Sequence, residues 1–451
     1  MGTLLIQNGR LIDPARQIDR VGDLLIVDGI FAEPGQGIGE INQTIDATGL
    51  IVAPGFIDCH VSFREPGSDE DETIASGADA ALAGGFTTVA CLPETVPVID
   101  TRASAEFIVR QGERAGRCRV LPLGAVTQNR AGKKLSEIGQ LIDGGAIGFS
   151  DGKQPLGNAE IMRRALQYTR MWNRPILHHA QVPELVQGGI MHEGFQSTVL
   201  GLQGMPAAAE EIMVRRDIAL VETTGGRVHL MCLSSRRSVE EVRQAISRGL
   251  PVTADVTPHH LLLTDESLEG YSTNYKVDPP VRTADHRAAL IEGLKDNTIG
   301  IIASDHQPHA EEKKTLEIDH APFGIVGLET LLPLCVEALI TPGHLDWPQL
   351  LSKLTVGPAQ LLSLPAGSLQ PGMPGDVTLI DPLAQWQINS TQFRSRSRNT
   401  PFHGRDVQGR VECTIVGGEV KYSAPSCKIE NDPHILNTGR EIRSIMLDPP
   451  R

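Results

Sequence analysis

Between residues 50 and 305 short apolar runs alternate with longer stretches whose apolar positions recur at helical spacing, the pattern of a parallel sheet with crossover helices. Eight runs read as strands, at residues 52–60, 87–92, 119–125, 146–150, 175–179, 227–232, 251–256 and 300–305. Eight is the number that closes a (β/α)8 barrel. The intervening helices carry stop signals: the alanine-rich segment 78–83 ends at Gly84-Gly85, and 239–247 ends at Gly249. The chain ends read differently. Short β segments at 4–7, 24–27 and 41–47 are punctuated by turn signals at Asn8-Gly9, Asp28-Gly29 and Pro34-Gly35, and a matching set lies at 376–381 and 410–416. The expected fold class is α/β: a TIM-like (β/α)8 barrel with a small β-sandwich built from both chain ends. The boundaries are 1–50 and 366–424 for the sandwich, 51–365 for the barrel and 425–451 for a loose polar tail.

Composition adds exclusions. Of 451 residues, 40% are hydrophobic and 21% charged, enough to bury a large core. No apolar run approaches the roughly 20 residues a membrane span needs, and no basic region precedes the first apolar segment, so neither a membrane association nor a leader is expected and the location reads as cytoplasmic. A formal net charge of -14 argues against a nucleic-acid partner. The seven cysteines are odd in number, scattered and without a CxxC pair, which fits reduced thiols rather than a disulfide framework.

Chemistry concentrates where the predicted strands end, the rim at which barrels of this type place their sites. In order come His60, Glu94, Asp151, His178 and His179, Cys232, His259 and His260, then Asp305 with His306 and His309. Histidines and carboxylates from several strands suit a metal site with an acid/base group. One position is out of pattern. A metal-building strand end would offer two imidazoles two residues apart, and after His60 the second position is Ser62. His178, His259 and His260 read as hydrogen-bonding posts, and Arg236-Arg237 and Lys313-Lys314 as exposed charge.

Several long strings resemble the dihydroorotases of the amidohydrolase superfamily: Pro54-Gly55-Phe56-Ile57-Asp58, Gly84-Gly85-Phe86-Thr87-Thr88, Val256-Thr257-Pro258-His259-His260, Ala303-Ser304-Asp305-His306-Gln307-Pro308-His309, Ala321-Pro322-Phe323-Gly324 and Asn399-Thr400-Pro401-Phe402. The resemblance implies a zinc enzyme, class I in type, that interconverts dihydroorotate and N-carbamoyl-L-aspartate in pyrimidine synthesis. It implies Asp305 as the proton-transfer group and metal ligand, His60 and His179 as further ligands, and Arg64, His309, Phe323 and Gly324 as substrate contacts. This chain departs from the family pattern at Ser62, at Cys232 (an ambiguous ligand where the family has histidine), at Glu94 and Asp278 (acids at substrate-contacting amide positions), and around Asp151, which is the bridging ligand only if the loop after it carries an insertion. The departures imply a depleted metal site holding two zinc ions, one or none, and impaired turnover. The alternative they leave open is an inactive partner subunit of aspartate carbamoyltransferase. A homo-oligomer and a different cyclic amide as substrate also stay open.

Overall fold

The computed structural model describes residues 2–33 and 41–430; the expected turn at Pro34-Gly35 and residues 431–451 of the expected tail lie outside them. Eight parallel strands form the barrel: β1 (Phe56–Val61), β2 (Phe86–Cys91), β3 (Arg119–Gly124), β4 (Gly148–Phe149), β5 (Ile176–His178), β6 (Val228–Leu230), β7 (Val252–Val256) and β8 (Ile301–Ile302), paired in that order. The ends of the sheet meet where the Ser62 N–H donates to the His306 carbonyl (3.0 Å) and the buried Asp58 carboxylate accepts from the Ser304 N–H (3.0 Å). Asp58 therefore satisfies backbone groups that no strand ladder reaches. Inside, Ile57, Cys59, Ala90, Leu123, Leu177, Met231 and Ile301 pack together. A larger apolar layer lies between strands and surrounding helices, including Phe149, Met162, Leu166, Val214 and Val242.

Among the described residues the chain ends join in one hydrogen-bonded sheet of nine strands. Val377–Gln387 pairs with Ile51–Pro54, which in turn lies beside Thr3–Asp13. Three sequence expectations are corrected here. The run 52–60 is two strands, because Ile51–Pro54 belongs to the terminal sheet and β1 to the barrel. Gly55 makes the passage possible: a Cβ there would sit 2.2 Å from Thr87 Oγ1. Asn8-Gly9 is a bulge within Thr3–Asp13 rather than a turn, with Asn8 at φ 60°, whereas Asp28-Gly29 does turn the chain, both residues having positive φ. Beyond Ala424, where a loose tail was expected, Ile429–Glu430 adds to Ile41–Asp46 as a further strand.

Candidate functional site

The polar residues at the strand ends converge on a buried network of charges. His60, at the end of β1, is fully buried, and its Nε2 lies 2.9 Å from Asp255 Oδ2 on β7. The same oxygen lies 2.7 Å from His229 Nε2 on β6, while Asp255 Oδ1 accepts from the Cys232 N–H at 2.8 Å. Burial alone would lower the His60 pKa; the Asp255 carboxylate outweighs it and raises the value well above normal. Burial keeps His229 lowered despite the same carboxylate, so Asp255 holds one imidazolium and one neutral ring. Cys232 Sγ lies 4.0 Å from His60 Nε2, and Asp305 Oδ1 lies 3.7 Å from His60 Nδ1. Donor atoms of His60, Cys232 and Asp305 all fall within 4.8 Å of one another, as do those of Cys59, His60 and Asp255.

Lys153, in the loop after β4, reaches into this cluster. Its Nζ lies 2.8 Å from Asp305 Oδ1 and 2.9 Å from Oδ2, donates to the Asp278 carbonyl at 2.8 Å and stands 3.7 Å from Cys232 Sγ. Burial would lower its pKa, but Asp305 more than offsets this and keeps the ammonium charged. Burial pushes the Cys232 thiol up to about 12, leaving it neutral. Asp305, Cys232 and Arg64 all have left-handed backbone (φ 49°, 53° and 60°), a strained conformation for non-glycine residues that clusters at functional sites.

Glu94, just past β2, forms a second hub. Its carboxylate accepts from the Ser62 hydroxyl (2.8 Å), the Lys153 N–H (2.8 Å) and Arg130 Nη2 (3.1 Å), and lies 3.6 Å from Arg64 Nη1. Burial alone would raise its pKa, yet Arg64 and Arg130 bring it down to about 2. The folded value is depressed, so these contacts stabilise the protein fully above the ordinary carboxylate pKa and are lost as pH falls toward 2, a contribution on the order of 3 kcal/mol. Urea melts taken from about pH 5 down to about pH 2 are expected to lose that stability in the wild type and to follow a flatter profile in Glu94→Gln.

The other predicted residues divide. Arg64 donates to Gln307 Oε1 (2.7 Å) and the Pro308 carbonyl, and His309 Nε2 donates to the Phe323 carbonyl at 2.8 Å. Burial and Arg64 hold His309 near a pKa of about 3, so it is neutral. Gly324 has φ +131°, and a Cβ there would meet Gln307 Cβ at 2.4 Å. The loop bearing Phe323 and Gly324 is braced by Lys276, which donates to the Ile318 and Ala321 carbonyls, and by Lys314, which donates to those of Pro322 and Gly324. Lys314 is thus buried, not exposed as expected. His179 Nε2 lies 3.3 Å from Asp278 Oδ2 without hydrogen-bond geometry, and Gln181 donates to Asp278 Oδ1 at 2.7 Å. Burial opposes, and His179 and Lys153 outweigh it, to hold Asp278 at about 2. Asp151 turns away from the donor cluster toward the loop after β3, where the Thr127 N–H and hydroxyl donate to it at 3.0 and 2.5 Å.

His178 and His260 are hydrogen-bonding posts, on Asp217 and the Leu156 N–H and on Thr257 and the Pro279 carbonyl respectively. The buried Nε2 of His259 has no hydrogen-bond partner among the described residues. Sequence reasoning passed over Lys153, Asp255, Arg130 and Gln307. Asp255 carried a signal, an acid inside an otherwise apolar strand, and Lys153 followed an Asp-Gly turn at a strand end.

A sequence model of the family described as Dihydro-orotase-like matches residues 49–238. A dihydroorotase of Solibacter usitatus is 45% identical over 427 residues, covering 94% of this chain and 99% of that protein. One from Pelotomaculum thermopropionicum is 49% identical over 367 residues, 81% of this chain and 86% of that protein. Among solved structures, L-hydantoinase (dihydropyrimidinase) from Arthrobacter aurescens superposes with a TM-score of 0.82 at 26% identity, covering 93% of this chain and 96% of that one.

Proposed function

The chain belongs to the dihydroorotase family, and from that premise we propose that it is a cyclic amidohydrolase of pyrimidine biosynthesis acting on dihydroorotate and N-carbamoyl-L-aspartate, with a depleted metal site. The observation that carries the reading is the run of contacts at the strand ends that joins Asp305 through Lys153 and Glu94 to Arg64, and Arg64 through His309 to the Phe323 carbonyl. Arg64 is the cation for the substrate carboxylate, since a guanidinium offers a planar fork of donors. Backbone of the braced Phe323-Gly324 loop holds the ring amide. Asp305 takes and returns the proton as the ring opens: water adds to the ring carbonyl, the amide C–N bond breaks, and the proton passes to the departing nitrogen.

Zinc, which the family implies, does not fit this donor set as it is assembled. The Lys153 ammonium is ion-paired with Asp305, donating to Oδ2 and standing 2.8 Å from Oδ1, Asp255 takes His60 Nε2 and Asp151 faces Thr127, which leaves only His60 Nδ1 and Asp305 Oδ1 of these ligands' atoms buried without a hydrogen bond among the described residues. A catalytic zinc wants three protein ligands and an open position. The test is a dihydroorotate hydrolysis assay, run in both directions, with Arg64→Leu alongside. Turnover is expected, with KM at least about tenfold higher in the variant and kcat changed less. Turnover of hydantoin or dihydrouracil but not of dihydroorotate would contradict the substrate. The Lys153–Asp305 pair, which ties up the proton acceptor, favours a second reading as a non-catalytic relative, for which we propose a place beside aspartate carbamoyltransferase. That reading predicts no turnover and co-elution with the transferase.

A further inference from the structure

Three features meet at one point of the pocket. Lys153 Nζ touches two of the three residues whose donor atoms cluster, Asp305 through both oxygens and Cys232 through sulfur. Its third side is filled by the Asp278 carbonyl. The backbone leaves it little freedom: Gly152 turns with φ +60°, a Cβ there would lie 2.4 Å from Glu94 Oε1, and the Lys153 N–H donates to that same oxygen. The turn therefore passes close under Glu94 and delivers the lysine inward, with its side chain only 17% exposed. A divalent cation among His60, Cys232 and Asp305 would sit against a fixed like charge that stands 2.8 Å from Asp305 Oδ1 and donates to Oδ2, and would have to compete with it for that carboxylate.

We propose that the Lys153 ammonium is the resident cation of this pocket, standing in place of a divalent metal ion and balancing the buried Asp305 carboxylate. Glu94 complements it as the resident anion beside Arg64 and Arg130. The pocket is thus charge-balanced by the chain itself, and folding does not depend on metal. The inference rests on the dihydroorotase reading only for where a metal would otherwise be sought.

The experiment is metal analysis of the full-length protein purified from zinc-supplemented cells, with thermal melts in EDTA and in zinc, for the wild type and Lys153→Met. Expected are less than about 0.1 zinc per chain and a wild-type melting temperature indifferent to EDTA, together with a lowered melting temperature in Lys153→Met that zinc partly restores. About one zinc per wild-type chain, with a melting temperature that EDTA lowers, would overturn the proposal whether or not the variant folds. So would a variant that melts with the wild type in both buffers. Dihydroorotate turnover measured on the same samples keeps the two questions apart. Absent turnover in metal-free, stable protein counts against the proposed function alone, and turnover lost on chelation counts against the resident ammonium alone.

Discussion

Asp255→Ala is expected to destabilise the fold by about 3–5 kcal/mol, the cost of removing one partner from a buried ionic network. The carboxylate is fully buried and receives four groups: His60 Nε2, His229 Nε2, the Cys232 N–H and, more weakly, the Cys59 thiol at 3.8 Å. Alanine strands a buried imidazolium, forcing it to lose its proton, and leaves a buried backbone N–H without an acceptor. Asp255→Asn keeps the shape and one acceptor and should cost less. The control is Asp19→Ala, which removes an exposed ion pair with Arg10 and should change stability by less than about 1 kcal/mol. Urea midpoints for the three variants give the comparison, and equal losses for Asp255→Ala and Asp19→Ala would show that the network contributes little.

Asp305→Ala is expected to lower kcat on dihydroorotate by about 10²–10⁴, the range for a lost proton-transfer group. Asp305 lies just beyond β8 in strained left-handed backbone, so its carboxylate is aimed by the fold rather than by chance rotamers. The substitution also leaves Lys153 without its carboxylate, so a fall in stability should accompany the fall in rate. Asp305→Asn separates the two effects because it keeps an acceptor for Lys153 while abolishing proton uptake. Steady-state kinetics and melts on both variants decide the matter; undiminished turnover in either would assign the proton transfer to another group.

The barrel was legible because buried parallel strands are short apolar runs and their helices are amphipathic, and each of the eight runs falls on or beside an observed strand. The split at Gly55 was not, since an unbroken apolar stretch does not say which of two sheets each half joins. Asn8-Gly9 looked like a hairpin because the same dipeptide serves a bulge and a turn. At the site, His60, Asp305 and His309 stood out as polar residues at strand ends, while Arg64 entered only through the resemblance to the family. Asp255 was hidden inside the run 251–256, because this acid points at two imidazoles from within the strand rather than from its end. Lys153 was hidden for another reason: its role depends on a turn at Gly152 that aims it back into the barrel, and spacing along the chain carries no such direction. Glu94 and Asp278 stand as acids at substrate-contacting amide positions, where unpaired they would repel an anionic substrate. The structure pairs them with Arg64 and Arg130, and with His179 and Lys153, so their charge is met within the protein.

The central claim, that this pocket carries its own cation, is tested most directly by X-ray diffraction at the zinc edge from crystals grown with zinc. Lys153 Nζ is expected within hydrogen-bond distance of both Asp305 oxygens, with no anomalous peak among His60, Cys232 and Asp305. An anomalous peak there, with Lys153 displaced from Asp305, would contradict it.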